Sequence, residues 1–167
     1  MSARAPRGLA VVEMTLVMPL LLVILFAAVD WGRAILARQV LINISREAAN
    51  LSSRGTSLSD AIAAVQASAR PLDLAGKGYV ILTEVQRDSH GAITVHARAA
   101  SGGKPQSSRV GGVVGGPASL PSSNPPVPPN GQSVYVAEVF YVLAPVTPIG
   151  HLLGIQVGQT YYDVAYF

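Results

Sequence analysis

Apolar residues fill almost every position from Leu9 to Val29, and only beyond them do polar residues return at helical spacing. A run of about 20 apolar residues, rising ~1.5 Å each, matches the ~30 Å hydrocarbon core of a bilayer, so 9–29 predicts one membrane-spanning helix. Past Val29 the apolar positions thin to Ala34, Ala37, Leu41, Ile44, Ala48 and Leu51, alternating in steps of three and four along one stripe. Gln39, Asn43, Arg46, Glu47, Asn50 and Arg54 fall on the other side. The pattern predicts a single helix from Leu9 to about Ser53, apolar all round in its first half and amphipathic over 30–54. Arg54-Gly55 is its stop, because glycine tolerates the left-handed conformation that ends helices.

The remainder, 55–167, reads as a small α+β domain. Ser57, followed three residues later by Asp60, caps one extra helix, which carries Ala61, Ala64 and Val65 and ends near Ala69, ahead of Pro71. Tyr79–Gln86 predicts a strand, Asp88–Gly91 a turn and Ala92–Arg98 its antiparallel partner, with Ile93, Val95 and Ala97 facing inward and Thr94, His96 and Arg98 outward. Glycine, proline and serine dominate 101–132, which predicts a flexible loop unable to bury enough apolar surface to order itself. Ser133–Val142 is apolar on both faces and belongs at the centre of the sheet, packed on the outer half of the long helix. Pro145 and Pro148 then interrupt the chain, Ile149–Val157 forms an apolar excursion containing His151, and Tyr161–Phe167 predicts a terminal strand with an exposed aromatic face.

Composition narrows the chemistry. Hydrophobic residues make up 50% of the 167 and charged residues 13%, a balance that suits a membrane-tethered chain. The net charge of +3 comes from scattered arginines rather than a basic block, so no nucleic-acid partner is expected. There is no cysteine, and the three histidines lie far apart, which leaves no motif for a metal site or a cofactor. Lys104 follows Gly103 but precedes Pro105, so the loop does not have the form of a phosphate cradle. With no catalytic spacing anywhere, the expectation is a protein that is not an enzyme.

The N-terminus carries the informative residues. Arg4 and Arg7 precede the apolar run, as in a secretory signal or in an anchor whose N-terminus stays in the cytoplasm. The run is too long for a signal core, and its only carboxylate, Glu13, lies within it. An ionisable group there costs roughly 2.5 to 3.5 kcal/mol on insertion scales, and persists mainly where it has a partner or a task. The segment is therefore expected to be retained after export. Pro19 removes one helical hydrogen bond and predicts a bend, and Ala28 with Gly32 forms a small-xxx-small pair that allows close approach of another helix.

A basic leader ending in glycine, Arg7-Gly8, followed by Leu9-Ala10-Val11-Val12-Glu13, resembles the processing site of type IV pilin-like proteins. The longer string from Arg7 to Leu21, with Asp30-Trp31-Gly32-Arg33-Ala34, Arg38-Gln39-Val40-Leu41 and Arg46-Glu47-Ala48-Ala49, is similar to TadE-like pseudopilins of tight-adherence pilus systems. The resemblance implies a leader 1–8 removed by a prepilin peptidase between Gly8 and Leu9, and a pilin-like helix packed on a small antiparallel sheet. It further implies Glu13, the fifth residue of the processed chain, as a register-setting partner for a neighbouring subunit's new amino terminus. Implied partners are the prepilin peptidase, the inner-membrane pilus assembly platform, other pilin and pseudopilin subunits, and membrane lipid. The implied location is the bacterial inner membrane, spanned once with the C-terminal domain outside the cytoplasm, or a pilus built for adhesion. An unprocessed, permanently anchored module that binds an envelope or secretion-complex partner fits the same residues without any need for Gly8.

Overall fold

The computed structural model describes residues 7–121, 126–148 and 159–167, with side chains from Ala10 onward. Helix α1 spans Arg7–Ser53, α2 Leu58–Ser68 and α3 Leu74–Lys77; the strands are β1 Gly78–Arg87, β2 Ile93–Ser101, β3 Ser133–Leu143 and β4 Gln159–Tyr166. The apolar excursion expected over 149–157 lies outside the described residues. The chain divides into two units. One holds the described residues up to Ile35 with 144–148; the other holds those from Leu36 to Leu143 with 159–167.

In the first unit every residue from Ala10 to Leu25 is exposed, although most are large and apolar. The helix is long and apolar enough to cross a membrane, and nothing among the described residues covers its first half. The helix continues through Pro19, whose missing N–H would have met the carbonyl of Thr15. Thr15 itself satisfies its hydroxyl by donating to Val11 O at 2.8 Å.

The second unit is built on a four-stranded antiparallel sheet in the order β2-β1-β3-β4. Its helix face meets Leu41, Ile44, Ala48 and Ala49 of α1 and Ala61, Ile62 and Val65 of α2, all packed in one cluster with Val80, Leu82, Ala137, Val139 and Ala165. The predicted stripe is thus the buried face of the helix, with Ala34 and Leu51 partly covered at its ends. Its end is closed as expected. Gly55 takes φ +93°, Thr56 N–H reaches Leu51 O and Gly55 N–H reaches Ser52 O, the paired bonds that satisfy the last carbonyls of a helix. Ser57 caps α2 by accepting from Asp60 N–H at 3.2 Å, and its hydroxyl donates back to the Asp60 carboxylate at 2.6 Å.

Four features depart from the sequence reading. Beyond the one extra helix expected, a single turn, α3, is capped by Asp73 and delivers Leu74 to the core. A bulge at His96 breaks the alternation in β2, since Val85 pairs with Val95 while Glu84 pairs with Ala97. Ala97 is thereby turned to the opposite face from Ile93 and Val95, and Arg98 to the face where it donates to Thr83 Oγ1 at 3.1 Å and Gly112 O at 3.2 Å.

The loop is the third departure. Gly102, at φ +143°, turns the chain out of β2 so closely that an added Cβ would lie 2.3 Å from Gly78 O. The segment then runs over the second face of the sheet, where Val110 is fully buried against Val85 and Val136, with Ala118 and Leu120 beside it. Gly115 and Gly116 exchange backbone bonds with Val95, and Ala118 N–H reaches Ile93 O. Finally, the terminal strand has no exposed aromatic face. Tyr161 packs on the helix-side core, Tyr162 and Tyr166 are half-buried on the other side, and among these aromatics only Phe167 is exposed.

Candidate functional site: the first helix and its anchors

The first turn of α1 contains Gly8 and Leu9, so the bond expected to be cut lies at the helix's N-terminal edge; residues 1–6 of the expected leader lie outside the described residues. Glu13 is one turn further on. It is exposed, and its carboxylate makes no hydrogen bond or ion pair with another described residue. Ala28 and Gly32 are also exposed, and a Cβ placed on Gly32 would meet nothing within 4 Å. Their smallness serves no contact within the described chain. Pro19 shares this uncovered surface.

Just beyond the apolar run, Asp30 and Arg33 have partners more than a hundred residues away. Asp30 accepts from Val146 N–H at 3.0 Å and from the Thr147 hydroxyl at 2.5 Å, while Arg33 Nη1 donates to Ala144 O at 3.4 Å. Asp30 and Arg33 are 3.9 Å apart. The Thr147 hydroxyl first, then the Val146 N–H, hold the Asp30 carboxyl below its ordinary value. Both residues sit in the string that carries the family resemblance, yet their periodicity announces only a helix.

Two more carboxylates act as anchors in the second unit. Asp163 of β4 accepts a short hydrogen bond from Ser45 of α1. Glu138 of β3 is completely buried; it accepts from the Ser108 hydroxyl at 2.5 Å, Arg109 N–H at 2.9 Å and Tyr162 Oη at 3.2 Å, and the Arg109 guanidinium lies 3.8 Å from the Tyr162 ring centre. This cluster ties the glycine-rich segment to the sheet. The sequence offered one signal for it, a lone carboxylate in a strand apolar on both faces, which requires partners once buried.

Burial pushes the Tyr162 phenol above its ordinary value of 10.0, and the Glu138 charge adds to it; burial likewise raises Tyr135, with Glu84, and Tyr166, with Glu138. A folded-state pKa raised above the unfolded one gives stability that is complete below pH 10 and is lost as pH rises through the folded values. Alkaline titration should therefore show delayed phenolate absorbance that appears together with loss of sheet signal by circular dichroism. Phenolate absorbance from all tyrosines rising near pH 10 with the fold intact would contradict this.

Among the described residues no group of three histidine, aspartate or glutamate side chains is placed to hold a metal ion. His96 is exposed at the bulge, and His90 lies in a turn whose N–H groups at His90 and Ala92 are held by Asp88. No curated protein and no solved structure matches the chain. The segment that does match a family contains both the uncovered surface around Glu13 and the Asp30–Arg33 anchor: residues 8–50, 43 of the 167, fit the family model described as TadE-like protein, and over this segment the chain is similar to that family.

Proposed function

We propose that this chain is a minor pilin or pseudopilin of a tight-adherence pilus, cut by a prepilin peptidase between Gly8 and Leu9 and non-catalytic in its role. Leader removal creates an amine on Leu9, about one helical turn from Glu13. In a stack of subunits the carboxylate of one chain neutralises the amine of the next, and the penalty for an unpaired buried charge fixes the axial step. The TadE-like match associates the chain with the Tad pilus, and the exposed helix of spanning length supports a membrane anchor. One observation carries the reading. Glu13 stands five residues after Gly8, in a helix with no partner for it among the described residues.

Protein recovered from its own cell's membrane, measured by intact mass and N-terminal sequencing, should begin at Leu9. A chain beginning at Met1 or Ser2 beside an active peptidase would leave Glu13 without its amine and favour the anchored binding module.

A further inference from the structure

We propose that Trp31, Arg33 and the 144–148 strap form a collar that seats on the phospholipid headgroup region and sets how deeply the apolar helix sinks. The inference rests on the helix being a membrane anchor, and does not require leader cleavage or pilus assembly.

Trp31 is 72% exposed and Val146 65% exposed, and both lie beside Asp30. Trp31 is two residues past Val29, about 3 Å further along the same helix, so it falls where a spanning helix leaves the hydrocarbon. An indole there has its apolar body toward the chains and its N–H toward water. Arg33, 42% exposed, has the reach to place its charge among phosphates while its stem stays apolar.

Residues 145–148 of the strap are suited to the same layer because their backbone donors are already used. Pro145 and Pro148 have no N–H, and the N–H groups of Val146 and Thr147 both go to Asp30. A segment without free donors avoids the cost that bars ordinary loops from lipid. Asp30, which would itself be expensive against a bilayer, is turned onto the strap and away from it. Exposed Val146 is then what the strap presents.

The chain has one tryptophan and no cysteine, so both halves of the collar can be read separately. The full chain is reconstituted in phosphatidylcholine–phosphatidylglycerol vesicles carrying lipids brominated near either the headgroup or the chain end. Trp31 emission is measured, together with that of an environment-sensitive dye on Val146→Cys. Both should be quenched severalfold more by the shallow bromines. Adding Asp30→Ala should abolish quenching of the dye while leaving that of Trp31. A dye at position 146 that iodide quenches fully and bromolipid does not, in vesicles where Trp31 is quenched, would overturn the collar. Unchanged quenching in the Asp30→Ala background would show that Asp30 does not hold the strap in the collar, and would overturn that part of it. A chain washed off by carbonate with Trp31 unquenched would remove the membrane anchor itself, and the collar with it.

Discussion

Replacing Glu13 with alanine is expected to leave the chain in the membrane and to abolish its incorporation into pili. Insertion should survive, and become easier, because the substitution removes an ionisable group worth roughly 2.5 to 3.5 kcal/mol against the bilayer. Assembly should fail because the Leu9 amine of a neighbouring processed subunit would enter an apolar interface without its counter-charge, and breaking one side of a buried pair costs about 3 to 5 kcal/mol. That corresponds to more than a hundredfold loss at equilibrium, enough to empty a sheared pilus fraction. Glu13→Gln, which keeps the shape and removes the charge, should behave in the same way. The measurement is carbonate-resistant membrane content beside immunoblots of sheared pili. Normal pili from the alanine variant would remove the register role.

The second large effect is expected at Glu138. Its carboxylate receives three donors, from Ser108, Arg109 and Tyr162, in a fully buried position. Glu138→Ala strands those donors between the glycine-rich segment and the sheet. With hydrogen bonds to charged groups worth about 1.5 to 3 kcal/mol each and far from additive, a loss of about 3 kcal/mol is expected. Loosening should be local first, because these donors connect the glycine-rich segment to the sheet and leave the helix-side cluster intact. Trypsin should then cut rapidly after Arg109, a bond protected in the parent chain; Lys104 precedes proline and stays resistant in both. Equal cleavage rates at Arg109 in the two proteins would show that Glu138 does not hold the glycine-rich segment.

The contrast between these two glutamates shows what the sequence makes legible. Glu13 stands out because an apolar run surrounds it, and its position relative to Gly8 is local. The helix stripe, the Gly55 stop and the Ser57 cap are likewise local patterns, and they appear in the structure where spacing places them. Glu138 depends on Ser108 and Arg109, 29 to 30 residues away in a segment whose composition suggests no order. Composition counts the apolar surface a segment can bury. It does not count side-chain acceptors waiting on another strand. The bulge at His96 is hidden for a similar reason: alternation in one strand carries no record of the partner's register, so it predicts the wrong sides for Ala97 and Arg98. Asp30 and Arg33 are half-legible. Their place in a recognisable string is visible, but not that they hold Ala144, Val146 and Thr147.

The bond between Ser45 and Asp163 has a consequence for biogenesis. Synthesis proceeds from the amino terminus, so α1 emerges before the sheet, and β4, which contributes Asp163, Ala165 and Tyr161 to its buried face, emerges after the other three strands. Until β4 leaves the ribosome, the stripe of Leu41, Ile44 and Ala48 lacks part of its cover. Pairing across so long a separation is intrinsically slow, and the uncovered stripe is a sticky surface in the interval. Truncation ahead of β4 should thus be read by the cell as an unfinished chain and cleared by quality control, even though the TadE-like segment is whole.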